Sequence, residues 1–414
     1  MSNNFIESLH VKDVRKFQSI ELKFNKGFNF IAGPNGCGKT SVLVCLAHCF
    51  DPSGMSYSSA NSESELWCDI TVKGEKFRVG QGQGSFDSQG YRRSGLVRGG
   101  GVLVEDGRTN ILTYLFKEQA NGFYPLFIGA RRSISYREIG GMTKEVQSVD
   151  AANVYISNNV RSLYGDWTSD IKQWLVNRYF IIDKDWAGVE RDNFQHLIKS
   201  LPMIGPFDSQ FSFVEIHRDL EPIFSIYNKR CYLEELSSGF QAVLTIIATI
   251  FEWVEQGGAG SRLVMEAAGT VLIDELDLHL HPEWQFTLRD SLMGIFPNLQ
   301  FIVTTHSPHL LASAGKNEIL ILPAESGVFS ISGVDKAFSG WTTDQILSEV
   351  MGVVSLDNKD YERLTSNALE QIEIGSIAGL QNAINELANI CHPSDTIVTV
   401  LKAKLAGMVA LKND

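Results

Sequence analysis

Two stretches, far apart in the chain, carry the residue types that phosphate chemistry needs. Gly33-Pro34-Asn35-Gly36-Cys37-Gly38-Lys39-Thr40 fits the pattern G-x-x-x-x-G-K-[ST], with Ser41 directly after it. Glycines at this spacing let backbone N–H groups turn inward on an anion. Lys39 adds a point charge for the β and γ oxygens, and the Thr40 hydroxyl, at a helix amino terminus, can ligate Mg²⁺. Pro34, Asn35, Gly36, Cys37, Gly38, Lys39, Thr40 and Ser41 are therefore the expected nucleotide-holding residues. The second stretch, Val271-Leu272-Ile273-Asp274-Glu275, is an apolar run ending in two acids. A buried strand here would deliver Asp274 to the metal through water or a hydroxyl, while Glu275 would polarise an attacking water. Thr40 and Asp274 are thus the expected metal residues, and Glu275 and Lys39 the expected catalytic ones. Cys37 lies where a helix dipole lowers a thiol pKa; the plainer reading is that the turn needs a small residue.

The elements that must position these residues are legible in outline. Alternating apolar character over Phe5–Val11 and Ile20–Phe24 predicts two strands, and Phe28, Phe30 and Ile31 lead into the glycine loop. After the loop, Val42, Leu43, Leu46 and Ala47 have helical spacing. Further strands are expected at Thr270–Ile273, Gln300–Thr304 and Glu318–Leu322. Between Arg131 and Arg230 the pattern reads as helical, with Val160, Leu163, Tyr164, Trp167, Ile171, Trp174 and Leu175 on one apolar face. The last seventy-odd residues also read as helical, with Asp357 and Ser376 as N-caps. The expected division is 1–130, an N-terminal lobe with the glycine loop; 131–230, a mainly helical insertion; 231–338, a C-terminal lobe with the acidic pair; and 339–414, a helical tail.

Composition narrows the function classes. The 414 residues, 44% hydrophobic and 20% charged, suffice for a large α/β domain with insertions. A net charge of −12 opposes bulk coating of nucleic acid. The charge is segregated, however. Residues 73–145 hold twelve Lys/Arg against seven Asp/Glu, a net of +5, which leaves −17 for the rest. Nucleic-acid contact is therefore expected, if anywhere, on that glycine-rich segment, which includes Arg92, Arg93, Arg98 and Arg108. Six scattered cysteines without a CxxC pair, and no apolar run long enough to span a bilayer, predict a reducing, cytoplasmic setting and no membrane partner.

Leu236-Ser237-Ser238-Gly239-Phe240-Gln241 resembles the signature loop of ABC-type ATPases, and Phe301-Ile302-Val303-Thr304-Thr305-His306-Ser307-Pro308 resembles their strand ending in a switch histidine. The four elements stand in that family's order. Val14-Arg15-Lys16-Phe17 and Asn29-Phe30-Ile31-Ala32 are similar to the RecF/SMC-like branch. The resemblance, over about 1–130 and 230–335, implies a P-loop α/β fold with a mixed sheet flanked by helices, with ATP and Mg²⁺ as ligands. It also implies a head-to-tail homodimer, or a larger oligomer, in which Ser237, Ser238 and Gly239 of one copy meet ATP held by another, and His306 senses the γ-phosphate. A Ser-Ser-Gly helix start is physically suited to this, because it offers a hydroxyl and free N–H groups at a positive dipole end.

Leu276-Asp277-Leu278-His279-Leu280-His281-Pro282 resembles the D-loop region of soluble members. The alternative, a metal site from His279, His281, His306 and His309, lacks a completing Cys or carboxylate at ligand spacing. Gln81 and Gln83 match the family's Mg²⁺-sensing glutamine poorly. Arg131 and Arg132 read either as a solvated pair or as contacts to phosphate or DNA. The insertion is too short for a long coiled coil, and the tail lacks the acidic cluster of a Toprim nuclease. Gly340-Trp341-Thr342-Thr343-Asp344-Gln345-Ile346-Leu347 resembles the tail of Septu-type antiphage ATPases, which implies a separate HNH-type nuclease subunit. Two other readings stay open: a RecF-like repair ATPase working directly on DNA, and a nucleotide-gated scaffold with negligible turnover.

Overall fold

In the computed structural model, the apolar runs leading into both phosphate motifs become strands of one parallel sheet, with a single strand between them. The structure describes residues 4–51, 58–82, 86–88, 94–96, 123–145, 148–206, 208–353, 359–392 and 395–413. Its strands, in chain order, are β1 (Phe5–Val14), β2 (Phe17–Lys23), β3 (Phe28–Ala32), β4 (Glu65–Val72), β5 (Glu75–Gln81), β6 (Phe86–Ser88), β7 (Ser94–Leu96) and β8 (Leu126–Ile128). They continue with β9 (Ser212–Ile216), β10 (Pro222–Ile226), β11 (Lys229–Tyr232), β12 (Thr270–Ile273), β13 (Gln300–Thr304), β14 (Ile319–Ile321) and β15 (Val328–Ile331). The helices are α1 (Lys39–Phe50), α2 (Ser148–Leu163), α3 (Ile171–Ile181), α4 (Gly188–Ile204), α5 (Ser238–Glu255), α6 (Pro282–Ile295), α7 (Pro308–Ala312), α8 (Thr343–Glu349), α9 (Lys359–Glu373), α10 (Ile377–Ile390) and α11 (Ile397–Asn413).

The parallel sheet has the order β14-β3-β13-β12-β8. A second sheet, β15-β2-β1-β4-β5, is antiparallel except where β15 joins β2. Helix α1 lies between the two sheets. Its residues from Val42 to Phe50 are all buried, and all but His48 share one apolar cluster with Leu9 and Val11 of β1, Leu272 of β12 and Ile302 of β13. A helix covered on every side must be apolar nearly all round, which is how Val42–Phe50 reads apart from His48, whose ring nitrogen is bonded to Ser58 Oγ. The other face of the parallel sheet is covered by α5 and α6, where Phe251, Phe296 and Phe301 form a chain of ring contacts at 5.4 and 6.3 Å. Alternation along β13 thus sends Ile302 to one core and Phe301 to the other. Truncating either to alanine would cost about 2–5 kcal/mol.

Strands β12 and β13 match the sequence expectation at both ends. Two other expectations need correction. The apolar face running from Val160 to Leu175 is not one helix: α2 ends at Leu163 and α3 starts at Ile171, with the Asp170 side chain capping it by accepting from Gln173 N. The end of the stretch expected to be helical is an antiparallel sheet, β11-β10-β9. Tyr227 and Asn228 turn that hairpin with φ of 51° and 62°, the two-residue geometry that matches strand twist.

The chain divides into two compact units, residues 1–352 and 353–414. The second consists of α9, α10 and α11 around Leu364, Ala368, Leu380, Ile384, Leu387 and Leu401. Ser376 caps α10 as expected, accepting from Gly379 N at 3.1 Å; Asp357 lies outside the described residues.

Candidate functional site

Ligand sites in parallel α/β sheets form beyond the carboxyl ends of the strands, and β3, β12 and β13 each lead here into residues already singled out: Gly33, Asp274 and His306. The loop after β3 turns on three glycines with positive φ: Gly33 at 138°, Gly36 at 74° and Gly38 at 101°. At Gly33 a Cβ would stand 2.6 Å from the Leu322 carbonyl oxygen, so only glycine fits. Cys37 is buried beneath the loop and belongs to the apolar cluster around α1, consistent with its reading as a small residue. Pro34 is half-buried, Asn35 and Gly36 are exposed, and Thr40 and Ser41 sit half-buried at the start of α1.

Lys39 is buried. Its Nζ donates to the carbonyls of Gly33 at 2.9 Å and Pro34 at 3.1 Å, and among the described residues it has no carboxylate at ion-pair distance. Burial lowers its pKa; the carboxylates of Asp277, Asp274 and Glu275 work in the opposite direction. An ammonium held by its own loop, with glycine-freed amides around it, is a cradle suited to a phosphate. Thr40 Oγ1 lies 3.0 Å from both carboxylate oxygens of Asp274. A hydroxyl beside a carboxylate is an oxygen donor set of the kind Mg²⁺ takes. Burial raises the Asp274 pKa, opposed by hydrogen bonds from Thr304 and Thr40 and by the charge of Arg132.

Three residues that position the acidic pair were not assigned from sequence. Thr304 Oγ1 donates to Asp274 Oδ1 at 2.6 Å and accepts from Glu275 N at 2.8 Å, so one hydroxyl fixes both acids. Arg132 is 3% exposed; it donates to the carbonyls of Gly129 at 2.8 Å, Glu275 at 2.8 Å and Asp274. Burial brings its pKa down to about 10, against the pull of Asp274, Asp277 and Glu275. The solvated-pair reading therefore fails for Arg132, whose bonds go to backbone behind the acids, and describes only the exposed Arg131. Asp277 accepts from Thr305 Oγ1 at 2.6 Å and from His306 N at 3.2 Å, tying the D-loop to the strand end that carries the histidine. The available signal was a polar Thr-Thr pair closing an apolar strand.

Glu275 is half-buried in a left-handed backbone conformation, φ 48°. For a residue with a Cβ this costs of order 1 kcal/mol or more and persists only when neighbours over-determine it. The Thr304 bond to its N–H and the Arg132 bond to its carbonyl do so. His306 is exposed, with its pKa lowered by partial burial and by Lys39. The structure thus brings Lys39, Thr40, Asp274, Glu275 and His306 into one electrostatic neighbourhood.

Ser237, Ser238 and Gly239 stand apart from it and make no hydrogen bond to it among the described residues. Ser237 and Ser238 are exposed at the start of α5, and Ser237 makes no side-chain cap. Gly239 is held close to the D-loop, where a Cβ would lie 3.0 Å from the His279 carbonyl oxygen. Gln241 fixes the loop from below, donating to the carbonyls of Glu234 and Leu236 at 3.0 Å and accepting from Ile134 N at 3.1 Å. No group of three or more His, Cys, Asp or Glu forms a metal cluster among the described residues. Gln81 is buried at the end of β5, while Gln83 and the arginines at 92, 93, 98 and 108 lie outside the described residues. No described helix is long and apolar enough to cross a membrane.

Residues 8–122 match a family model described as "AAA domain", and residues 172–312 match another described as "AAA domain, putative AbiEii toxin, Type IV TA system". The chain is 28% identical to a Septu protein PtuA from Bacillus thuringiensis, over 97% of this chain and 98% of that protein. It is 23% identical to a Retron Ec83 probable ATPase from Escherichia coli, over 82% of this chain and 76% of that one. An SMC head domain from Thermotoga maritima is similar at a TM-score of 0.43 and 14% identity, over 80% of this chain and 99% of that chain. The ordered motifs on one parallel sheet, the two AAA-domain matches and the similarity to PtuA along nearly the whole chain bear out the resemblance to ABC-type, RecF/SMC-like AAA ATPases.

Proposed function

We propose that the protein binds and hydrolyses ATP with Mg²⁺, dimerises around the nucleotide, and regulates an HNH-type nuclease subunit in antiphage defence. The observation that carries the hydrolytic reading is the joint fixing of Asp274 and Glu275 by Thr304, next to Thr40 and Lys39. Gly36 to Ser41 and Lys39 would hold the phosphates; Thr40 and Asp274 would hold the metal. Mg²⁺, when bound, supplies charge neutralisation at the β and γ oxygens. Glu275, anchored through its backbone, accepts the proton of the attacking water. His306, tied to Asp277 through its backbone N–H, stands where a γ-phosphate contact would be felt by the D-loop.

The dimer reading rests on the amino terminus of α5, whose exposed serines leave first-turn N–H groups open to an anion presented in trans. The defence reading rests on similarity to Septu protein PtuA along nearly the whole chain. Sedimentation with and without ATP, together with phosphate release, tests the first two parts. The wild type is expected to dimerise with ATP and to turn it over, and Ser238→Arg to remain monomeric with turnover at least tenfold lower. ATP binding with no dimer, or turnover unaffected by Ser238→Arg, contradicts the trans arrangement. Failure of the full chain to co-purify with a co-expressed HNH nuclease subunit removes the partner.

A further inference from the structure

Away from the P-loop, the carboxyl end of α5 meets α2 and α3 around a cavity of about 330 Å³. That is at the lower bound of small-ligand pockets, about 300–1,000 Å³. Three of its walls are aromatic: Tyr155, Trp167 and Trp174. Tyr155 and Trp167 meet edge to face at 5.7 Å. Trp174 is pinned by its Nε1, which donates to Glu255 Oε2 at 3.1 Å, and by the Arg178 guanidinium 5.7 Å from its ring centre. The rings are therefore fixed before anything enters.

The polar groups of the cavity fall into two kinds. Asn177 is satisfied, exchanging hydrogen bonds with the Thr143 backbone at 3.1 and 3.2 Å. Glu255, one helical turn from Glu252 and outside the lining, is satisfied by Trp174, Arg178 and Asn193. Glu252 is not: its Oε2 is shut off from solvent and has no hydrogen-bond partner, and the same holds for Ser169 Oγ beside it. The serine hydroxyl lies near both the Glu252 carboxylate and the Tyr155 phenol, close enough to favour their charged forms, yet neither Glu252 Oε2 nor Ser169 Oγ reaches hydrogen-bond geometry with a protein group. Burial is the larger influence and pushes the Glu252 pKa up to about 7. Two adjoining orphaned groups on an aromatic-walled cavity are unusual in a native fold and mark a place where a ligand supplies the missing donor. Among the described residues Lys144 is the one cation in the lining, and the guanidiniums of Arg178 and Arg137 are already paired with Glu145 and Asp170, so the cavity offers a phosphate little free positive charge.

We propose that this cavity is a second binding site for a planar nitrogen heterocycle bearing N–H donors on one edge, a nucleobase or nucleoside without phosphate. The rings would take its faces, and Glu252 and Ser169 its donor edge. Equilibrium dialysis of the full-length chain against guanosine, adenosine, cytidine and uridine tests this. At least one is expected to bind. Its affinity should fall about tenfold or more in Glu252→Gln and in Trp167→Ala, and about as far in the milder Ser169→Ala should the first variant unfold. It should be unchanged in the presence of saturating ATP, which separates this site from the proposed ATP site. No binding of any of the four at millimolar concentration, with only water filling the cavity, overturns the proposal. So does binding that saturating ATP displaces and that is kept in Glu252→Gln.

Discussion

Replacing Thr304 by valine keeps the shape of a 1%-exposed side chain and removes the one hydroxyl that serves both acids. The part-buried Glu275 N–H loses its acceptor, at a cost of about 1 kcal/mol, the low end for a shielded polar group. The Asp274 carboxylate loses its shortest donor; a hydrogen bond to a charged group is worth about 1.5–3 kcal/mol. Thr40 still reaches both Asp274 oxygens, and Arg132 still holds both carbonyls, so the two losses do not add in full. A net destabilisation of about 3 kcal/mol follows, roughly a 1 M drop in the urea midpoint at a slope of about 3 kcal/mol/M. Function should suffer beyond stability. Glu275 sits in left-handed backbone held from two sides, and removing one restraint lets its carboxylate drift, so phosphate release should fall at least tenfold under conditions where the variant is fully folded. Thr304→Ser keeps the hydroxyl and should recover most of both losses. A Thr304→Val chain with the wild-type urea midpoint and wild-type turnover would refute the reasoning.

Two further outcomes follow from buried charge. Arg132→Met fills a similar volume but leaves the carbonyls of Gly129, Asp274 and Glu275 without their guanidinium; it should lose about 2 kcal/mol of stability by urea unfolding and most of the phosphate release. An unchanged urea midpoint would mean that the guanidinium holds nothing behind the acids. His48, buried with its Nε2 2.8 Å from Ser58 Oγ, has its pKa lowered by burial to about 3. A folded pKa below the unfolded value of about 6.5 means that stability is complete above pH 6.5 and is lost as pH falls towards 3, by up to about 4 kcal/mol. His48→Gln, which cannot titrate, should unfold at lower pH than the wild type in an acid titration followed by circular dichroism; an unchanged acid midpoint would place the sensitivity elsewhere.

The parts of the site that were legible in the sequence are those set locally. The glycine loop needs its residues for backbone reasons that any neighbour leaves unchanged, and a buried parallel strand such as Val271–Ile273 must be apolar throughout, so both motifs and the bounds of β12 and β13 could be read directly. Arg132 could not, because whether an arginine after a strand end is solvated or buried depends on what packs over it: here it is α5, whose Thr245 donates to the Arg132 carbonyl at 3.4 Å. Thr304 reads as an ordinary strand residue until β12 and β13 are paired in register, which brings Ile273 beside Val303 and so sets the acids against the Thr304 hydroxyl. The β9–β11 sheet was missed for a different reason. Its strands are four or five residues long, too short for a period of two to stand out from helical spacing, and the Tyr-Asn turn was the one local signal. The break between α2 and α3 hid because apolar residues in two successive helices can continue a single three-to-four spacing by coincidence.

The central claim is that Glu275 is the base at a Thr40–Asp274 metal site. It is tested most directly by Glu275→Gln in a phosphate-release assay run beside ATP binding and sedimentation. The expected result is turnover reduced about 10²–10⁴-fold, with ATP affinity retained and an ATP-bound dimer that no longer dissociates. Phosphate release at the wild-type rate would contradict it.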